Sequence, residues 1–206
     1  MSPPPTTFIF DLDGVLCDYD LDARLKYLSQ VCGLVPAEIR AALWDSGFEN
    51  AADAGAWPDG ATYLAEFARR LDYPLTRGQW IEARRVSMTP WPQMLALVDR
   101  LGRSGRTALL TNNVPLLAET LDEVFPPVSR LFGDRVFFSC HLRLAKPDPA
   151  IYREVCRRLR CQPGATIFVD DKPENAEGAR QAKLAGIHFT GPEALVDALA
   201  RHGVAL

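Results

Sequence analysis

Four aspartates stand in two short pairs far apart in the chain, Asp11 with Asp13 and Asp170 with Asp171, and each pair closes an apolar run. Thr7–Phe10 runs into Asp11-Leu12-Asp13-Gly14, and Thr166–Val169 runs into Asp170-Asp171. A third run, Thr107–Leu110, ends in Thr111-Asn112-Asn113. As strands of one open parallel sheet, the three would share a carboxyl edge, which is where such sheets bind ligands. A lone Asp after a strand is commonly a turn or a cap. Three strands delivering polar or anionic groups to one edge point to a site. Four carboxylates there would repel one another. A hard cation relieves the repulsion, and magnesium favours one or two carboxylates together with substrate phosphate and water. Lys146, in Ala145-Lys146-Pro147-Asp148-Pro149, adds a positive charge directly before a Pro-started helix. Helix N-termini and free backbone N–H groups after Thr107–Leu110 would hold phosphate oxygens.

Those residues need a sheet to position them. Short apolar runs that read as buried parallel strands are Thr7–Phe10, Thr107–Leu110, Val136–Phe138, Thr166–Val169 and Gly186–Phe189. Helical spacing of apolar residues fills Pro115–Val124, Pro149–Leu159 and Glu174–Leu184 between the later ones. Alternating strand and helix predicts an α/β fold, a Rossmann-like parallel sheet with crossover helices. The interval between Phe10 and Thr107 breaks this rhythm, being far longer than one crossover needs. Leu21–Cys32, Pro36–Trp44, Asp59–Leu71 and Thr76–Val86 carry helical spacing within it, and Pro36, Asp59 and Thr76 sit where helices start. The expected organisation is a catalytic core of residues 1–16 and 89–206, with an all-helical cap, residues 17–88, inserted after the first strand. The helix Pro92–Gly102 then leads back to the sheet.

Composition narrows the class. The 206 residues suit one domain carrying an insertion, and 48% hydrophobic content is enough to bury a substantial core. A net charge of -3, with no basic run interleaved with aromatics, gives no reason to expect a nucleic-acid partner. No apolar stretch approaches a membrane span. The Pro-rich start, Met1 to Thr7, lacks a positive region and the following apolar run stops at Asp11, so no signal peptide is expected. Five scattered cysteines form no C-x-x-C pair and read as reduced packing residues of a cytoplasmic protein. His141, His188 and His202 have no ligand spacing. Trp44, Trp57, Trp80 and Trp91 read chiefly as packing in or beside the insertion. No phosphate-cradling G-x-x-x-x-G-K-[ST] loop and no G-x-G-x-x-G is present.

Asp11-Leu12-Asp13-Gly14-Val15, Thr111-Asn112-Asn113, Lys146-Pro147 and Asp170-Asp171 together resemble the four ordered motifs of the haloacid dehalogenase (HAD) superfamily, along the whole chain. D-x-D-G alone is only moderately specific; the four in order are strong. Lys146-Pro147-Asp148-Pro149-Ala150-Ile151-Tyr152 and Val169-Asp170-Asp171-Lys172-Pro173-Glu174-Asn175 are most similar to the small helical-cap phosphatases of that superfamily, such as bacterial glucose-1-phosphate phosphatase and the N-terminal phosphatase domain of soluble epoxide hydrolase.

The resemblance implies a magnesium-dependent phosphatase acting on a small phosphate monoester, with a sugar phosphate favoured. Asp11 would be the nucleophile on phosphorus, forming an aspartyl-phosphate that splits one hard step into two. Asp13 would protonate the leaving oxygen and then deprotonate water. Magnesium would be held by Asp11, Asp170 and the backbone carbonyl of Asp13, with Asp171 acting from behind the ligands. Thr111 and the Asn112 backbone would bind the phosphoryl group, and Lys146 would stabilise its charge and orient Asp11. Asn175 would either assist the site or only cap the helix near Pro173. Arg24, Trp44 and Glu49 are the cap candidates for choosing the leaving group. A phosphomutase or a dehalogenase of the same superfamily is the nearest alternative. From another class comes a phospho-accepting signalling or binding protein, but receiver domains carry their paired acids after the first strand and lack a long helical insertion.

Overall fold

The computed structural model describes residues 5–205, so the first four residues of the Pro-rich start lie outside it. In chain order the elements are β1 (Thr7–Phe10), β2 (Cys17–Tyr19), α1 (Leu21–Cys32), α2 (Pro36–Arg40), α3 (Phe48–Asp53), α4 (Gly60–Arg70), α5 (Arg77–Arg85), β3 (Met88–Pro90), α6 (Pro92–Ser104), β4 (Arg106–Thr111), α7 (Pro115–Val124), α8 (Pro127–Phe132), β5 (Val136–Phe138), α9 (Ser139–Leu142), α10 (Pro149–Leu159), β6 (Thr166–Asp170), α11 (Pro173–Gln181), β7 (Ala185–His188) and α12 (Pro192–Arg201).

Among the described residues, five strands form one parallel sheet in the order β5-β4-β1-β6-β7. The three strands that end in polar residues are therefore adjacent, with β1 central between β4 and β6. All four residues of β1 are buried, as expected of a strand covered on both faces. Alternation along the strands divides the core. Phe8, Phe10, Leu109, Ile167 and Val169 face apolar residues of α6, α7, α8 and α12, whereas Ile9, Ala108, Leu110 and Phe168 face Ile151, Tyr152 and Val155 of α10. The fold is the expected α/β sheet with crossover helices.

Between β1 and β4 the chain makes a helical layer framed by a short antiparallel ribbon. Cys17 pairs with Pro90 and Tyr19 with Met88, so the chain leaves and re-enters the core through adjacent strands. Asp59 and Thr76 are N-caps: Asp59 Oδ1 accepts from the Thr62 N–H at 2.8 Å, and Thr76 Oγ1 accepts from the Gln79 N–H at 3.2 Å. Pro36 occupies the first turn of α2, where its missing N–H costs nothing. The expected helix Pro36–Trp44 instead passes at Ala41 into a single π-helical turn, Ala41–Asp45. A π turn inserts an extra residue and re-aims the side chains beyond it. The interior of this layer is aromatic, with Phe48 stacked on Tyr63 at 5.3 Å and Trp80 edge-on to Tyr63 at 6.0 Å. Two contacts fasten it to the core helix α7: Glu119 Oε1 accepts from the Gly60 N–H at 2.7 Å, and Arg77 pairs with Glu123 at 2.8 Å.

The short elements β2, β3, α3, α8 and α9, and the ten-residue amphipathic helix α12, go beyond the expectations from sequence. Among the described residues no helix is long and apolar enough to cross a membrane. All five cysteines are free.

Candidate active site

The carboxyl ends of β1, β4 and β6 open into a cavity of about 390 Å³ between the sheet edge and the helical layer. Asp11, Asp13, Thr111, Asn112, Lys146, Asp171 and Asn175 line its floor, and Arg24, Trp44, Glu49, Asp53 and Arg84 line the opposite wall.

Lys146 is the electrostatic centre of the floor. Its Nζ lies 2.7 Å from Asp11 Oδ1 and 2.6 Å from Asp170 Oδ2, and donates to the Leu110 carbonyl at 3.2 Å. Burial opposes a charge on this ammonium, but the carboxylates of Asp11 and Asp170 more than offset it and raise its pKa. The Lys146 backbone is clamped as well: Asn112 Nδ2 donates to the Lys146 carbonyl and Asn112 Oδ1 accepts from the Lys146 N–H, both at 3.0 Å. The Lys146-Pro147 bond is cis.

Asp170 is fully buried and tied on all sides. Its Oδ1 accepts from the Lys172 N–H and from Asn175 Nδ2, each at 2.9 Å, while Lys146 holds Oδ2. Asn175 thus turns its amide to Asp170 rather than capping α11, and Tyr152 Oη donates to the Asn175 carbonyl at 2.7 Å, fixing it from behind. Carboxylate oxygens of Asp11, Asp170 and Asp171 can all lie within 4.8 Å of one another. Burial pushes the Asp11 carboxyl up to about 7 against the pull of Lys146, and burial, then the Asp170 charge, raises Asp171. Asp171 Oδ1 is buried without a hydrogen-bond partner.

This donor set fits a hard divalent cation. It is all oxygen, it carries more negative charge than Lys146 balances, and it includes an orphaned carboxylate oxygen. Asp11, Asp170, Asp171 and the Asp13 carbonyl, two residues beyond Asp11, are the groups available to hold one. No histidine belongs to the cluster; His188 Nε2 contacts the Asp171 carbonyl at 3.0 Å instead. Gly14 makes room for this arrangement. Its φ is +81°, and a Cβ there would lie 2.5 Å from Asp171 Oδ2, so only glycine lets the loop after β1 approach the acidic pair after β6.

The Asp13 side chain is not one of the three clustered carboxylates. It accepts from Asn113 Nδ2 at 3.1 Å and pairs with Arg84 Nη2 at 3.1 Å. Asn113 also donates to Thr111 Oγ1 at 2.8 Å, joining the strand ends of β1 and β4. Sequence places Asn113 in the Thr111-Asn112-Asn113 motif but assigns it no role, and offers Arg84 neither. Asn113 follows directly on the Thr111-Asn112 pair; Arg84 carries no such signal.

In the wall, Arg24 Nη1 donates to Tyr19 Oη at 3.1 Å, and its guanidinium lies over the rings of Trp44, at 5.1 Å, and Trp80, at 5.5 Å. Glu49 accepts from Tyr63 Oη at 2.6 Å. Trp44 lines the cavity, whereas Trp80 is wholly buried, Trp57 packs on Phe48, and Trp91 packs on Phe189.

Residues 5–183 match the family model of the haloacid dehalogenase-like hydrolases. The chain belongs to that family. Among its relatives, Acyl-CoA dehydrogenase family member 10 of Mus musculus is 34% identical over 110 residues, which are 53% of this chain and 10% of that protein. The chain therefore spans only a small part of that relative. A phosphatase of Mycobacterium tuberculosis is 25% identical over 192 residues, covering 85% of this chain and 83% of the other. Solved structures of the family share the fold. A HAD-like family hydrolase from Porphyromonas gingivalis superposes with a TM-score of 0.80 at 21% identity, covering 99% of this chain and 100% of that one. A HAD family enzyme from Bacteroides thetaiotaomicron, in complex with magnesium and inorganic phosphate, superposes with a TM-score of 0.73 at 19% identity, covering 88% and 92%.

Proposed function

We propose that this family member is a magnesium-dependent phosphatase that hydrolyses a small phosphate monoester through an aspartyl-phosphate on Asp11. The observation that carries the proposal is the convergence of Asp11, Asp170 and Asp171 around the Lys146 ammonium. Support comes from the M. tuberculosis relative, a phosphatase, and from the B. thetaiotaomicron enzyme, captured with magnesium and phosphate. When bound by Asp11, Asp170 and the Asp13 carbonyl, magnesium would offset the carboxylate charge and polarise the phosphoryl group.

The steps follow from this chain's own residues. Asp11 attacks phosphorus, and the bond from phosphorus to the ester oxygen breaks. Asp13 gives its proton to that leaving oxygen, since an alkoxide is a poor leaving group. Asp13 then takes a proton from water, the water attacks the phosphorus of the aspartyl-phosphate, and inorganic phosphate leaves with Asp11 restored. Lys146 and Thr111 balance charge on the phosphoryl oxygens, with Lys146 also holding Asp11 in line. Asn175 and the Lys172 N–H keep Asp170 turned to the metal side, a supporting role of the kind that orients metal ligands. Residues 17–88 act as a cap that covers the site.

A sugar phosphate suits the wall opposite: the aromatic face of Trp44 beside the planar polar groups of Arg24 and Glu49 can cover a sugar ring and bond its hydroxyls. Steady phosphate release from an aryl phosphate in the presence of magnesium, absent in Asp11→Asn, is the expected result. Release that persists in that variant would reject Asp11 as nucleophile, and no release from the parental chain would reject the phosphatase.

A further inference from the structure

Arg24 is the anomaly of the cavity wall. It is among the largest fully enclosed side chains of the protein, 2% exposed, yet it lines the cavity above the Asp11 floor. Its Nε and Nη2 are buried and have no hydrogen-bond partner. A buried guanidinium with unmet donors is costly, and native interiors rarely keep one without a reason.

The neighbours do not satisfy it. Tyr19 Oη takes only Nη1, at 3.1 Å. Glu49 supplies the nearest opposite charge, but its Oε2 is 4.0 Å from Nη1, beyond hydrogen-bond range, and its Oε1 is held by Tyr63 Oη at 2.6 Å. The second guanidinium of the wall has its charge matched, because Arg84 pairs with Asp13 through Nη2 and leaves only its Nε unmet. The Trp44 and Trp80 rings hold the Arg24 plane without competing for its N–H groups, since an aromatic face accepts the cation and leaves its edge donors free. A flat, pre-oriented guanidinium with spare donors is the arrangement that recognises carboxylate and phosphate groups with two parallel bonds. It stands across the cavity from the phosphoryl floor, where the alcohol portion of an ester would lie.

We propose that the leaving alcohol of the substrate carries a second anionic group, a carboxylate or a second phosphate, and that Arg24 recognises it. This rests on the phosphatase reading above and narrows its substrate class to phosphorylated sugar acids and their chemical kin, including bisphosphates.

Matched ester pairs test it. Initial rates are measured for gluconate 6-phosphate against glucose 6-phosphate, for 3-phosphoglycerate against glycerol 3-phosphate, and for fructose 1,6-bisphosphate against fructose 6-phosphate, with an aryl phosphate as reference. The expected result is a kcat/KM higher by about tenfold or more for the anionic member of the carboxylate pairs or of the phosphate pair, carried mainly by KM; which pair responds identifies the anion. Arg24→Gln should bring that ratio close to one, and Arg24→Lys should retain part of it. Turnover of the aryl phosphate with each pair hydrolysed in parallel would overturn the inference while leaving the phosphatase standing. No turnover of any ester would overturn both. Because Arg24→Gln is a buried change, the parental protein supplies an independent measure. Gluconate should inhibit aryl phosphate hydrolysis at lower concentration than glucose if the carboxylate pairs respond, and inorganic phosphate should inhibit by occupying two sites if the bisphosphate does. Equal inhibition by gluconate and glucose, with phosphate acting at one site, would again overturn it.

Discussion

Arg84 Nη2 donates to both carboxylate oxygens of Asp13, at 3.3 and 3.1 Å, across 71 positions of sequence. Arg84 belongs to α5 of the helical insertion and Asp13 to the loop after the central strand, so this ion pair joins the wall of the cavity to its floor. Arg84 is 3% exposed and stacks over the Tyr19 ring at 4.9 Å, which fixes the guanidinium from its far side. Removing it leaves Asp13 with Asn113 and the weak Cys17 thiol donor at 3.9 Å. Arg84 positions Asp13, and misplacing a catalytic group by about 1 Å can cost about 10²-fold, so Arg84→Gln should lower kcat on alkyl phosphates by roughly 10–100-fold. Arg84→Lys should recover part of that, and Arg85→Gln none of the loss should appear, because Arg85 is an exposed partner of Glu82. Comparing kcat for alkyl and aryl esters in the three variants checks this.

Asp13 itself should show leaving-group dependence. Asp13→Asn or Asp13→Ala is expected to depress hydrolysis of alkyl phosphates by about 10²–10⁴-fold and to spare esters with an activated aryl leaving group by comparison. A halide leaves as a stable anion and needs no proton, so a general acid at Asp13 is equipment for esters, and no halide release from 2-haloacids is expected. Equal losses on both ester types would assign Asp13 to holding the metal or the loop.

Asp11 and Lys146 should separate activity from stability. Asp11→Asn is expected to abolish turnover and keep the fold, because the amide preserves shape and lowers the negative charge around Asp170 and Asp171. Lys146→Met is expected to lose turnover and also to destabilise the protein by about 3–5 kcal/mol, since it strands the buried carboxylates of Asp11 and Asp170 without a partner. Urea unfolding of both variants, in metal-free buffer, distinguishes the two outcomes.

Metal removal should act on stability as well as on rate. Chelation is expected to stop turnover, and magnesium to restore it. Because the ion would bind only the folded arrangement of Asp11, Asp170 and the Asp13 carbonyl, saturation at 100 times Kd should add about 2.7 kcal/mol. A rise in Tm with magnesium that is missing in Asp170→Asn would report binding at this cluster. Full activity in excess chelator would reject the metal.

Asp53 gives a pH signature. Burial chiefly, then the neighbouring Glu49, pushes its carboxyl from 3.8 up to about 8, against the pull of Arg84. The folded state therefore holds a proton that the unfolded chain has released. This group's contribution to stability is complete below pH 3.8, falls as pH rises toward about 8, and is flat above. Asp53→Asn should remove that slope, so the stability of the variant relative to the parent should grow across the window. Denaturant titrations at its two ends measure the difference, and a difference independent of pH would place the Asp53 titration in its ordinary range.

Much of the fold was legible because the central strands are buried on both faces. Strands such as Thr7–Phe10 and Thr166–Val169 must then be continuous apolar runs, and the helices over them must repeat apolar residues at helical spacing. Leu21–Cys32, Pro115–Val124 and Pro149–Leu159 occur where that spacing places them. Strand order was not legible, since pairing is a long-range property. Only the folded sheet sets β1 between β4 and β6 and makes neighbours of Asp11, Thr111 and Asp170.

The floor of the site could be read because its residues sit at strand ends and Gly14 accompanies them, positions where local chain geometry and chemistry leave the same mark. The wall could not. Arg84 and Arg85 are adjacent and chemically identical in sequence, and the turn of α5 sends one onto Asp13 and the other into water beside Glu82. Arg24 is a candidate from sequence, but only the fold closes Trp44 and Trp80 around it and leaves two of its donors unmet. Sequence by itself determined which groups could do the chemistry, because nucleophile, acid and ammonium are properties of residue type. Tertiary structure decided which of the basic residues face the cavity and which of their donors stay unmet, because burial and partnership arise only when segments far apart in the chain are packed together.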